Sequence, residues 1–173
     1  MGSEMCIRDS IDTAMTDLTP VRIHILDTPG YPDYLGQDMS ALDAVKSVCA
    51  VIDPTKGPEL LTRRLMAMAK ERGLCRMIVI NHMDDPEADL EKCLRELQET
   101  WGPGVLPINL PTRNRTHVID CFDREDGDSD IMTVDDVHRA FIERVVEEDD
   151  EMLERYLEEG SIDPRALHPL VTK

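Results

Sequence analysis

Apolar and polar residues alternate along Val21-Arg22-Ile23-His24-Ile25-Leu26, and the run passes straight into Asp27-Thr28-Pro29-Gly30. That pattern predicts a strand ending in an acidic turn. A second apolar run, Met77-Ile78-Val79-Ile80, ends in the polar cluster Asn81-His82-Met83-Asp84. Between the two, Asp38 to Lys46 has helical spacing, with Met39, Leu42 and Val45 on one face. Ser47 to Asp53 reads as a buried strand closed by Pro54 and Gly57. Glu59 to Arg72 reads as an amphipathic helix, with Leu60, Leu61, Leu65, Met68 and Ala69 inward, Arg63, Arg64 and Lys70 outward, and Gly73 ending it. A further helix is expected from Pro86 to Trp101, with proline in its first turn. Strands alternating with helices predict an α/β fold with a parallel sheet and right-handed crossovers. In such sheets ligands bind outside the carboxyl ends of the strands, so the turns after Leu26 and Ile80 can line one site.

Beyond Gly102-Pro103-Gly104 the rhythm changes. Two short runs, Val105 to Leu110 and His117 to Phe122, flank a polar loop and suggest a small insert rather than another crossover. A long helix is expected from about Val134 to Glu159, with Val137, Phe141, Val145, Met152 and Tyr156 along one stripe and Glu148-Asp149-Asp150-Glu151 as a candidate interruption. Ser161-Ile162-Asp163-Pro164 looks like a fresh cap, opening a helix over Arg165 to Lys173. Residues 1–10 show no periodicity and read as a leader apart from the fold, a candidate scar.

Composition narrows the picture. A chain of 173 residues suffices for one domain with a sizeable core, or one domain plus a small insert. Aromatic residues are sparse at 3%, so the core must be aliphatic, with methionine filling gaps. A net charge of −17 argues against direct DNA binding through a basic surface. Much of that charge falls between Asp120 and Glu159, as a solvated helical face would have it. Cys6, Cys49, Cys75, Cys93 and Cys121 form no CxxC pair. Cys49 and Cys75 lie in or beside apolar runs, where a thiol behaves as a small buried hydrophobe, so a reducing cytoplasm is expected. No apolar run has membrane length, so no membrane partner is expected.

Asp27-Thr28-Pro29-Gly30 resembles the DTPG of the translational GTPases, which reads the terminal phosphate, and Asn81-His82-Met83-Asp84 resembles their NKMD guanine reader at a similar spacing. Phe141 to Gly160 also looks like the helical end of the insert in elongation factor G. Three matches in the right order are more specific than either tetrapeptide, since DxPG alone equally describes a turn and NxxD a helix cap. The resemblance implies a P-loop GTPase-type α/β core with a parallel sheet and a small inserted α+β subdomain. Its boundaries would be a core over 11–111, an insert over 112–163 and a return helix over 164–173. It also implies GTP and Mg²⁺ as ligands and the ribosome as partner. None of the nine glycines opens a GxxxxGK[ST] phosphate loop, so the core reads as lacking its N-terminal phosphate-loop unit, through truncation or loss, and should by itself bind nucleotide weakly.

In that reading Asp27 suits magnesium, which keeps most of its waters and takes one carboxylate. Thr28, Pro29 and Gly30 complete the phosphate-reading turn, where a residue without a side chain lets its N–H approach an anion. Asp84 would accept both N–H groups of guanine's Watson–Crick edge, Asn81 would hold the loop, and His82 and Met83 complete it. Two residues depart from the family. His82 stands where a lysine packs on the purine, and Tyr31 stands where elongation factor G has a water-orienting histidine; some elongation-factor-G-like paralogues look similar in having Tyr there. A phenol can position water but is a poor proton acceptor, so slow or altered hydrolysis is expected. Two rivals remain open: a non-catalytic module docking through its acidic helical insert, and a P-loop NTPase of another base preference.

Overall fold

The computed structural model describes residues 12–18, 21–147, 149–160, 162 and 166–167, with 12–18 and 21 as backbone alone. The chain is mixed α/β and divides into two compact units, one up to Asn81 and one from His82. The leader and nearly all of the helix expected over 165–173 lie outside the described residues.

In the first unit, β1 (Asp12–Leu18) and β2 (Val21–Asp27) form an antiparallel ladder with Asp12 opposite Asp27. β3 (Ser47–Ile52) and β4 (Cys75–Ile80) form a parallel one with Ser47 opposite Cys75. The parallel sheet expected of three strands therefore holds two, and β2 pairs with β1 instead. Only two residues separate β1 from β2 in sequence, so closing that hairpin costs little chain entropy.

A 3-10 turn, Pro32–Tyr34, leads into α1 (Leu35–Leu42). The helix thus starts and stops earlier than the Asp38–Lys46 spacing suggests, because Pro32 presets the first turn and Val45 falls beyond the end. α2 (Leu60–Glu71) packs on β3 and β4 and touches α1. Its buried positions are Met66 and Ala69; Leu61, Leu65 and Met68 of the expected stripe are half-buried, whereas Leu60, at its start, is 83% exposed. Gly73 ends the helix at φ 67, a left-handed turn that suits glycine.

β3 is not buried on both sides. Ala50 and Ile52 are buried, while Cys49 and Val51 alternate with them and are exposed. Met77 and Val79 are exposed on β4 as well. With α2 on one side, strand periodicity places every second apolar residue on the other. Cys49 and Cys75 are accordingly exposed rather than the buried hydrophobes expected, and the buried thiols are Cys93 and Cys121.

The second unit opens with α3 (Leu90–Trp101), capped by the Asp89 carboxylate accepting from Lys92 N–H at 2.9 Å. It begins four residues later than expected from Pro86. The Asp85 carboxylate takes the Glu87 N–H at 2.8 Å, and the carbonyls of Met83, Asp85 and Ala88 turn to Arg115. β5 (Asn109–Pro111) and β6 (Val118–Asp120) pair antiparallel, as the two short runs suggest. Leu110, Ile119 and Cys121 pack with Val134 and Val137 of α4 (Val134–Val146). The long helix expected over 134–159 is two: α5 (Asp150–Glu159) starts afresh where the Asp149 side chain accepts from Met152 N–H at 3.2 Å. Ile142, Val146, Ile162 and Leu167 form a second cluster, flanked by Met152 and Tyr156.

Candidate functional site

Asp27 is the last residue of β2 and is exposed at its carboxyl end. Thr28 and Pro29 are half-buried, and Gly30 is exposed at φ 70. A Cβ built on Gly30 meets nothing within 4 Å, so it is the left-handed backbone rather than crowding that favours glycine there. Tyr31 returns to an extended conformation and is 38% exposed, and its carbonyl accepts from Tyr34 N–H at 3.0 Å. The five residues therefore form one exposed turn carrying a carboxylate, a left-handed glycine and a phenol.

The second turn is anchored to the parallel pair. Asn81 N–H donates to Ile52 carbonyl at 2.9 Å, prolonging the β3–β4 ladder by one bond, and the Asn81 side chain is exposed. His82 opens the second unit at φ 54, a conformation uncommon for residues with a side chain, and its carbonyl accepts from Asp85 N–H at 3.1 Å. Met83 is half-buried, and His82 and Asp84 are exposed. Asp27 to Tyr31 and Asn81 lie in the first unit, and His82, Met83 and Asp84 in the second.

Sequence reasoning missed three features nearby. At the end of β3, the Asp53 side chain accepts from both Thr55 N–H (2.9 Å) and Thr55 Oγ1–H (2.6 Å), forming a compact polar turn at the same strand edge as Asn81. Its Asp-Pro-Thr-Lys-Gly sequence is a readable turn signal. Arg115 clasps the backbone after His82, a contact between segments 27 to 32 residues apart that no local pattern discloses. Asp38 is buried, with neither carboxylate oxygen hydrogen-bonded; it falls in an otherwise amphipathic helix and gives no local sign of burial.

Among the described residues, no group of three or more His, Cys, Asp or Glu is arranged to hold a metal by itself. A single exposed carboxylate at Asp27 fits a hard, water-keeping cation better than zinc, which takes three or four protein ligands. No helix among them is long and apolar enough to cross a membrane.

The chain belongs to the elongation factor Tu GTP-binding domain family, whose model matches residues 6–163 and so includes both strand-end turns. That membership implies the P-loop GTPase fold and guanine-nucleotide binding. Relatives described as elongation factor G-like are among those the chain resembles. It is 26% identical over 149 residues to an elongation factor G-like protein of Thermotoga maritima, covering 79% of this chain and 22% of that one. A protein of the same description from Mycobacterium tuberculosis is 28% identical over 160 residues, covering 85% and 22%. The mitochondrial ribosome-releasing factor 2 of Drosophila ananassae is 37% identical over 98 residues, covering 57% and 13%. The chain thus spans less than a quarter of the length of these relatives.

Proposed function

We propose that this chain is the central part of the GTP-binding domain of a cytoplasmic elongation-factor-G-like protein that hydrolyses GTP on the ribosome. Residues 11–111 form the core, 112–163 a small inserted subdomain and 164–173 a return helix. A phosphate-loop unit preceding residue 11 would complete the core, and an in-frame GxxxxGK[ST] in the upstream coding sequence is the expected finding. A reading frame that starts at this chain would contradict that part.

One observation carries the proposal: of the two tetrapeptides expected to read phosphate and guanine, one begins at the last residue of β2 and the other directly after β4, and both fall inside the family match. This favours a nucleotide-binding domain over a docking module. Asp27 would hold magnesium, directly or through a water, and there the ion would supply neutralisation of charge on the phosphate oxygens. The Gly30 N–H, free of a neighbouring Cβ, hydrogen-bonds the terminal phosphate, with Thr28 and Pro29 shaping the turn. The Tyr31 hydroxyl orients the attacking water through a hydrogen bond. Asp84 accepts the N1–H and the exocyclic amine of guanine, Asn81 secures the loop, His82 stacks on the purine face and Met83 completes the wall.

Ribosome-stimulated GTP hydrolysis by the protein of the complete reading frame tests this, comparing wild type with Tyr31→Phe and Tyr31→His. Losing the hydroxyl in Tyr31→Phe should slow turnover by about 10²-fold, the scale of a misplaced reacting group. Rates unchanged in both variants would overturn the assignment.

A further inference from the structure

The backbone that presents Asp84 is held by a side chain from elsewhere in the second unit. Arg115 lies between β5 and β6, and its Nη1 donates to the carbonyls of Met83 (3.2 Å), Ala88 (3.2 Å) and, at longer range, Asp85 (3.5 Å). Asp84 sits between two of the three residues held. The guanidinium is half-buried and always charged, so these are charge-assisted bonds to carbonyls that would otherwise need water.

The clasp is built rather than incidental. Arg115 has φ 55, a strained backbone for a residue with a side chain, and its N–H donates to Thr112 carbonyl at 2.7 Å. The Asn114 carboxamide oxygen accepts from Thr112 Oγ1 (2.7 Å), Thr116 Oγ1 (2.8 Å) and Thr116 N–H (3.2 Å), which fixes the same turn. On the other side the Asp85 N–H bond to His82 carbonyl and the Ala88 N–H bond to Asp85 carbonyl (3.0 Å) fold the segment so that its carbonyls converge on the cation.

We propose that Arg115 is a positioning residue for nucleotide specificity: by clasping the carbonyls on either side of Asp84 it sets the carboxylate against the guanine edge. The proposal rests on the reading of Asp84 as the base reader. Inosine diphosphate lacks the 2-amino group that Asp84 would accept from, so the preference for GDP over IDP reports the carboxylate's placement. General loosening of the protein weakens both nucleotides equally; displacement of Asp84 costs each the N1–H contact and GDP the 2-amino contact besides, so the preference for GDP falls.

The experiment measures GDP and IDP dissociation constants for the protein of the complete reading frame, with hydrogen exchange at Asp85 and Ala88. Wild type should prefer GDP by about tenfold, the worth of one hydrogen bond to a charged group. Arg115→Ala should bring the preference to within about twofold by weakening GDP more than IDP, and should speed exchange at both amides. Arg113→Ala removes a neighbouring pair with Asp128 (3.1 Å) and should leave the preference intact. Should Arg115→Ala fail to fold, Arg115→Met keeps much of the apolar stem but offers no donor, and its preference should still fall below wild type. A wild-type preference that survives Arg115 substitution, or falls equally in Arg113→Ala, overturns this proposal alone. Equal binding of GDP and IDP by wild type, unaltered in Asp84→Ala, overturns the base-reader assignment and this proposal with it.

Discussion

Asn81 donates its N–H to the carbonyl of Ile52 at 2.9 Å, so the turn that follows β4 leaves the sheet already tied to β3. Ile52 is 3% exposed on the side where α2 packs, whereas its neighbour Val51 is 62% exposed on the other. Ile52→Ala should therefore cost about 2–5 kcal/mol in urea unfolding, and Val51→Ala should stay within about 0.5 kcal/mol. Equal losses would mean that both sides of the sheet are packed.

Thiol labelling gives a second check on that sidedness. Cys49 and Cys75 are exposed and should react with a maleimide in the folded protein, while Cys93 at 1% and Cys121 at 0% exposure should react only on unfolding. Partial desolvation within the strand pushes the Cys49 thiol up, so less thiolate is present at neutral pH. Its labelling should be slower in the folded protein than in urea at pH 7.5, and the gap should narrow as pH rises. Burial likewise pushes Cys121 up, with Asp120 adding to the effect and a backbone hydrogen bond from Leu110 opposing it. Rapid native-state labelling of Cys93 or Cys121 would contradict the core described here.

Asp38 is the one carboxylate among the described residues that is buried at 3% exposure with no hydrogen bond to either oxygen. An unsatisfied buried polar group costs free energy that an apolar side chain of similar volume does not. Asp38→Val should stabilise the fold by about 1–3 kcal/mol in urea unfolding, valine and aspartate having similar helix propensities. A loss of stability would mean that the carboxylate has a favourable role in the folded protein.

These elements show what the sequence discloses and where it stops. β2 was legible because its alternation is local, as were β3 and β4 because apolar runs bounded by turns are local too. The acidic turn after β2 was legible because Asp27 and Gly30 carry recognisable chemistry within four consecutive residues. The side on which β3 is buried was not, since Val51 and Ile52 are alike in chemistry and differ only in what packs on them. α3 starts later than Pro86 suggests, where Arg115 takes the Ala88 carbonyl and the Asp85 carboxylate takes the Glu87 N–H. The break between α4 and α5 depended on whether Asp149 capped a helix or merely joined an acidic run. β1 was passed over because its pairing with β2 decides it more than its own composition does.

The measurement that bears most directly on the account is base preference in Asp84→Asn, made in the protein of the complete reading frame. Guanine offers an amine at C2 and xanthine a carbonyl, so exchanging a carboxylate oxygen for an amide N–H₂ should invert the fit. Wild type should bind GDP over XDP, and Asp84→Asn should bind XDP over GDP, each by about tenfold or more. A protein whose nucleotide preference is the same before and after the substitution would contradict the claim that the turn after β4 reads the base.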